Sequence, residues 1–348
     1  MTEAVPAEGA VPGGGAVPAG DMLALVVRGS RRHALERVRR PVPGPGEALV
    51  AVTHVALCGT DLRLLRGGLH DAHYPVIPGH EWAGRVLAAP SRPELVGSAV
   101  VADGMSPCDR CDMCADGAYN LCTDLDEVGF TRPGAFAEAL TVRAANLRPL
   151  PPDLSGAEGC LLEPLCVALH AMERAPDLTG RTVGVIGAGT VGLLVAQLAR
   201  AGDAKTVLVA DPQEHRRRIA AELELTAHPA AGDWQADLPE IVFDATGVAA
   251  VFPAGLEATR PGGTYVLVGY SGEDSVTMPP STVMLRELTV IGVLSGYQQL
   301  DKALDMVLSG AVRLGPLISA PRLLSEYGSV LDDRDGPPPL RHFFISSA

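Results

Sequence analysis

Apolar residues keep one rhythm in the first half of the chain and another in the second. MLALVV from Met22 and EALVAVTHVAL from Glu47 are dense in β-branched and aliphatic side chains. PVPGPGE between them is a turn signal, so residues 22–60 read as short strands. Strands punctuated by Gly and Pro continue over residues 74–150. From about Leu161 the period lengthens, and LEPLCVALHAMERA spaces its apolar residues as a helix does. TVGVIG, TVLVAD, IVFDATG and TYVLVGY then alternate with helical stretches such as Pro212 to Leu225, the signature of a parallel sheet with crossover helices. After Gly292 one helix, LDKALDMVLSG, precedes a less regular tail. The pattern predicts an α/β protein with a β-rich domain over 22–155, a doubly wound parallel-sheet domain over 156–291, and a return segment, 292–348, that completes both. The uncharged run from Thr182 to Ala199 has about the length of a membrane span. Gly184, Gly187, Gly189 and Gly192 break it into strand, turn and helix, so no span is expected.

Composition narrows the partners. A chain of 348 residues suits two domains, and 47% hydrophobic residues suffice for their cores. Only 4% are aromatic, so Val, Leu and Ala do most of the packing. A net charge of -13 excludes the basic surface that nucleic-acid binding needs. Residues 1–21 repeat Ala-Val-Pro with Gly, a low-complexity extension expected to be disordered. They have neither the basic start nor the apolar run of a signal peptide, which points to the cytoplasm.

Cys108, Cys111, Cys114 and Cys122 follow a C-x2-C-x2-C-x7-C pattern. Such spacing lets thiolates close round one zinc ion as a structural site. An iron–sulfur cluster is the rival, but ferredoxin runs bring the fourth cysteine after three residues and follow it with Pro. A disulfide pair is disfavoured where thiols stay reduced.

Gly187-Ala-Gly189-Thr190-Val191-Gly192 stands between strand TVGVI and helix VGLLVAQLARAG. In that context the glycines permit a tight turn, close approach of a pyrophosphate and close helix–strand packing. Asp211 ends the next strand, where a carboxylate accepts ribose hydroxyls and repels a 2′-phosphate, so NAD is expected over NADP. Capping of the following helix is the alternative role. Arg216 beside it, Thr246, Val268 and Gly269 complete the expected cofactor site.

A second constellation comprises Cys58 in CGTD, His80 and Glu81 in PGHE, and Glu163 in EPLCVALH. Each alone has a structural explanation: a core thiol, a satisfied histidine, a helix-cap carboxylate. Together a thiolate, an imidazole and a carboxylate leave one zinc position open for substrate. With CGTD, GHE, the cysteine lobe, EPLxVxLHA and GAGTVG in this order, the chain resembles the zinc-dependent medium-chain alcohol and polyol dehydrogenases from about Met22 to Gly310. The resemblance implies a GroES-like catalytic domain, a Rossmann NAD-binding domain, and one catalytic and one structural zinc. It implies that Cys58, His80 and Glu163 ligate the catalytic ion and that Glu81 coordinates transiently. Asp61 would orient His80, and Thr60 would accept the alcohol proton. Cys160 and Cys166 match no role and read as core thiols. Arg63 stands where many relatives carry a relay histidine, and His70 or His73 is the substitute to consider. Relatives assemble as dimers or tetramers, and the same is expected here. YPVIPGHEWAG, DLDEVGFTRPGAFAE, VRAANLRPLP, EPLCVALHA and RPGGTYVLVGY are similar to the 2-deoxy-scyllo-inosamine dehydrogenases of aminoglycoside biosynthesis. That likeness implies an aminocyclitol substrate. A general polyol or threonine dehydrogenase, and an inactive NAD-binding module, are the alternatives.

Overall fold

The computed structural model describes residues 20–67, 73–234, 237–272, 275–277, 280–331 and 339–346. Residues 1–19 of the expected extension, and His70, lie outside these. Asp21 is already in the first strand, because its backbone is paired to Arg39.

Strands β1 (Asp21–Gly29) and β2 (Arg32–Arg39) form an antiparallel pair. Strand β3 (Glu47–Leu57), the EALVAVTHVAL of the sequence, leads into helix α1 (Gly59–Arg66). Cys58 caps α1, and the Asp61 carboxylate accepts a hydrogen bond from Cys58 N at 2.9 Å. Next come β4 (Glu81–Ala88), β5 (Ala99–Ala102), β6 (Met105–Ser106), the short helix α2 (Asp112–Ala115), β7 (Asp126–Glu127), β8 (Ala139–Arg143) and β9 (Leu147–Pro149). Helix α3 (Gly156–Cys160) starts with a reciprocal cap: Glu158 N donates to Ser155 Oγ at 3.3 Å, and Ser155 N donates to the Glu158 carboxylate at 2.8 Å. Helix α4 (Leu162–Arg174) follows, as the helical spacing predicts.

The second half alternates β10 (Thr182–Ile186), α5 (Thr190–Ala201), β11 (Thr206–Ala210), α6 (Glu214–Glu222), β12 (Thr226–His228), β13 (Ile241–Asp244), α7 (Val251–Ala258), β14 (Thr264–Leu267), α8 (Pro280–Leu285), β15 (Thr289–Gly292) and α9 (Leu300–Leu308). Its six strands are all parallel, in the order β12-β11-β10-β13-β14-β15. The order reverses between β10 and β13, where open α/β sheets bind ligands beyond the strand ends. Among the described residues no helix is long and apolar enough to cross a membrane.

The tail is more regular than its sequence suggests. β16 (Arg322–Leu323) and β17 (His342–Ile345) join the first half's large sheet, ordered β16-β17-β3-β4-β5-β9 with β8 on β3. β17 runs antiparallel to β3, His342 opposite Leu57. Phe343 and Phe344 are buried there, which fixes the end of the chain against the strand leading to Cys58. Cys160 and Cys166 are buried core thiols, as expected, and burial holds both well above the ordinary thiol range.

Candidate active site and metal centres

Sheet register assembles the first cluster. Ala56 of β3 pairs with Glu81 of β4, so Cys58, just past β3, meets His80, just before β4. Cys58, His80 and Glu81 bring one potential ligand atom each within 4.8 Å of one another. Asp61 is fully buried and accepts from Gly79 N at 3.2 Å, and its carboxylate lies 3.6 Å from His80 Nδ1. A carboxylate on that side of the ring orients it for ligation through the other nitrogen. Thr60 Oγ1 lies 3.7 Å from Cys58 Sγ.

The electrostatics are those of a cation site. Burial would raise the Cys58 thiol, but the Arg341 charge and His80 bring it down to about 5. Burial works against a charged imidazole at His80; Asp61 and Cys58 outweigh it and hold the ring well above its ordinary value. Burial lifts Glu81 well above the carboxylate range against the pull of Arg341. Arg341 Nη2 donates to Glu81 Oε1 at 2.6 Å, while Glu81 Oε2 is buried with no hydrogen-bond partner. A thiolate, an imidazole and an unpaired carboxylate oxygen facing one point fit a zinc ion.

Glu163 lies close to this group without joining it. It is not part of the 4.8 Å group among the described residues. From the first turn of α4 it lines, with His80, a narrow cavity with room for about one water, and burial raises it to about 7. Glu81 is nearer because it adjoins His80 in the same strand entry.

In the lobe, all four cysteine sulfurs lie within 4.8 Å of one another. Cys111–Cys114, Cys111–Cys122 and Cys108–Cys114 are 3.5, 3.9 and 4.0 Å apart. A disulfide needs about 2.05 Å. Four sulfurs about 2.3 Å from one zinc stand about 3.8 Å apart in a tetrahedron. The lobe therefore fits a single ion. Backbone amides of Thr123 and Cys114 directed at Cys111 bring its thiol down to about 6, favouring the ligating thiolate.

The glycine turn lies at the reversal of the parallel sheet. A Cβ on Gly192 would stand 1.8 Å from Gly187 O, so packing demands glycine there. At Gly189, which caps α5, no protein atom lies within 4 Å of a built Cβ; that room suits a ligand. Thr190 and Val191 open α5, and Thr190 Oγ1 is buried without a partner. Asp211 accepts from Ala188 N at 2.9 Å and from Gln213 N at 2.8 Å, with Arg216 at 3.5 Å. It thus ties the glycine turn to the end of β11, and Gln213, not Asp211, caps α6. Thr246 follows β13 in the crevice, its hydroxyl donating to Asp244 at 2.7 Å. Val268 N and Gly269 N each donate to Asp244 O at 2.9 Å. These residues fit a dinucleotide laid along the strand ends.

Comparison with known proteins agrees with this geometry. Residues 44–152 match the alcohol dehydrogenase GroES-like domain, and residues 190–309 the zinc-binding dehydrogenase family. An erythritol/L-threitol dehydrogenase of Mycolicibacterium smegmatis is 32% identical over 89% of this chain and 93% of its own. The chain belongs to the zinc-dependent medium-chain alcohol and polyol dehydrogenases. A zinc-binding dehydrogenase of Sinorhizobium meliloti, solved with NADP, superposes with a TM-score of 0.85 at 30% identity, covering 94% of this chain and 99% of that one. Galactitol-1-phosphate dehydrogenase of Escherichia coli superposes at 0.83 with 28% identity, over 93% and 100%. This medium-chain dehydrogenase is thus a zinc- and NAD(P)-dependent oxidoreductase acting on CH–OH groups, with GroES-like and Rossmann halves.

Two residues of the dehydrogenase's site escaped the sequence reading. Arg341 reaches Glu81 from 260 positions away, and no local signal marks it. Glu127 lines the cavity against His80; nothing in the DLDE run sets it apart from Asp126.

Proposed function

We propose that this dehydrogenase oxidises a secondary alcohol on a polyhydroxylated ring bearing an amino group, with NAD accepting the hydride. The candidate substrate is 2-deoxy-scyllo-inosamine, taken to its 3-amino-2,3-dideoxy-inosose ketone in aminoglycoside biosynthesis. The observation that carries this reading is the cavity against His80. Asp103, Glu127 and Glu163 line it, and no Lys or Arg among the described residues does. A phosphorylated or acidic polyol would set like charge against these carboxylates, whereas a neutral or cationic one would not. Three of the stretches that carry the aminocyclitol likeness contribute His80, Glu127 and Glu163 to this one cavity.

Zinc at the Cys58 site would supply the Lewis acidity that lets a bound hydroxyl lose its proton near neutral pH. Thr60 would accept that proton, Asp61 would orient His80, and Arg341 would hold Glu81. Arg63 donates to Gly247 O and Tyr270 O and takes no part as a relay. The buried Asp211 carboxylate supports NAD over NADP. Seven free thiols suit the reducing cytoplasm. The edge of β15, unpaired among the described residues and with Val290 exposed, supports assembly into a dimer or tetramer. The second reading, a general polyol dehydrogenase, draws on the erythritol/L-threitol relative.

Reduced-cofactor absorbance tests this with the zinc-loaded full chain, NAD or NADP, and a panel: 2-deoxy-scyllo-inosamine, erythritol, sorbitol, threonine, galactitol 1-phosphate and ethanol. The aminocyclitol with NAD should give the highest kcat/KM, and chelation should abolish turnover. Highest activity on erythritol or sorbitol would favour the polyol reading. Silence throughout would favour an inactive module.

A further inference from the structure

The helix that follows Cys58 carries a guanidinium that the zinc site does not use. Arg63 lies in the last turn of α1, where a cation suits the helix dipole. Its hydrogen bonds reach much further than that turn. Nη2 donates to Gly247 O at 2.9 Å and Nη1 to Tyr270 O, partners 184 and 207 positions away. The guanidinium carbon stands 5.3 Å from the centre of the Tyr270 ring. Gly247 follows β13 and Tyr270 follows β14. The fork of one side chain thus joins α1, next to the zinc ligand Cys58, to two loops of the Rossmann half.

The two loops are packed on each other. A Cβ on Gly247, whose φ is +60°, would stand 2.6 Å from Tyr270 O, and one on Gly269 would stand 2.3 Å from Gly247 N. The β13 loop is also tied to the sheet. Asp244 Oδ1 accepts from Thr246 N at 2.9 Å and from Thr246 Oγ1 at 2.7 Å, and Asp244 Oδ2 accepts from the buried Tyr265 hydroxyl at 2.7 Å. At its other end α1 is fixed to the metal site. Asp61 accepts from Cys58 N at 2.9 Å, and Thr60, three residues before Arg63 and so on the same helix face, lies 3.7 Å from Cys58 Sγ. With Asp211 receiving the adenosine ribose at the end of β11, a dinucleotide crosses the sheet at its reversal. Its nicotinamide half then lies over the ends of β13 and β14, on the loops that Arg63 holds.

We propose that Arg63 is a positioning residue for hydride transfer, clasping the nicotinamide end of the cofactor site to the helix that adjoins the zinc-bound alcohol. A misplacement of about 1 Å between reacting groups can cost about a hundredfold in rate, so a strut across this crevice sets a distance that matters. The clasp serves any alcohol that the zinc holds. Without it the two loops populate arrangements that do not receive the nicotinamide half, and the apparent dissociation constant rises as the competent fraction falls.

The test is calorimetric binding of NADH and of ADP, which fills the adenosine half alone, to the zinc-loaded full chain. Arg63→Met keeps the apolar stem and removes the donors. It should weaken NADH about tenfold, as loss of a charge-assisted hydrogen bond does, and leave ADP within about twofold. Arg63→Lys keeps the charge without the fork, reaches one carbonyl and not both, and should fall between the two. Unchanged NADH affinity in Arg63→Met overturns the proposal. Equal weakening of NADH and ADP also does, since Arg63 would then support the fold or attract phosphate in general. Tighter NADH binding in Arg63→Met would make the clasp a bar that the cofactor must displace, which overturns it as well. An Arg63→Lys protein equal to the unsubstituted one would assign the effect to charge and remove the two-loop clasp.

Discussion

Arg63 donates to Gly247 O at 2.9 Å and to Tyr270 O, and its guanidinium lies 5.3 Å from the Tyr270 ring centre. A position marked in the sequence only by a missing histidine is a clasp between α1 and the loops that follow β13 and β14, next to Thr246 and Gly269. Asp103 is the other residue whose surroundings set a measurable property. Burial pushes it up to about 6, against the backbone amides of Gln298 and Met105 that favour its charge. The folded state therefore holds this proton more tightly than the unfolded chain, whose carboxyl titrates near 3.8. Stability is lost as pH rises from about 4 to about 6, and the charged group remains unfavourable above that range. Asp103→Asn keeps an acceptor for both amides and removes the charge. Its urea midpoint should exceed that of the unsubstituted protein at about pH 7, and the difference should shrink towards about pH 5. Equal differences at both values would refute the assignment.

Between residues and domains, the cysteine lobe acts as a brace. Asn120 Nδ2 donates to Leu294 O at 2.8 Å, and the Tyr119 and Tyr297 rings pack at 5.3 Å. The segment they hold supplies Ser295 and Gly296 to the cavity against His80. Closing the lobe on an ion thus shapes the active site from a distance. Structural zinc contributes directly to folding, since the unfolded chain has no site for it. Cys111→Ser should lower the thermal midpoint, remove one of the two zinc sites and raise KM. Cys58→Ser should leave the midpoint within a few degrees and abolish turnover. Metal analysis, thermal denaturation and steady-state kinetics on both variants check this. A Cys111→Ser protein with unchanged midpoint and KM would remove the bracing role.

At the scale of the molecule, β15 ends the parallel sheet with an edge that no strand pairs among the described residues. Val290 on that strand is 40% exposed, and Met284 and Leu285 in α8 are 66% and 76% exposed. An open edge flanked by apolar side chains pairs readily with another strand, and a second copy would supply one through a twofold axis. Light scattering should give a mass of at least twice that of the chain, and Val290→Lys should shift it towards the monomer. A monomeric unsubstituted protein would exclude the assembly.

What the sequence determined by itself is what neighbouring residues encode. The EALVAVTHVAL strand, the helix from Leu162, the glycine turn and the cysteine spacing were legible because burial periodicity, backbone freedom and thiolate geometry act within a few positions. Cys58 and His80 were legible as candidates because their motifs are local. The tertiary structure alone brought Glu81 within 4.8 Å of both and set Glu163 in the cavity that His80 lines. It also decided that HFFI near the end of the chain is a strand, that Arg341 returns to Glu81, and that Glu127 rather than Asp126 faces the cavity. Those outcomes depend on strand register and on the path of the chain through space. A pairing across 260 positions leaves no periodic trace near either partner.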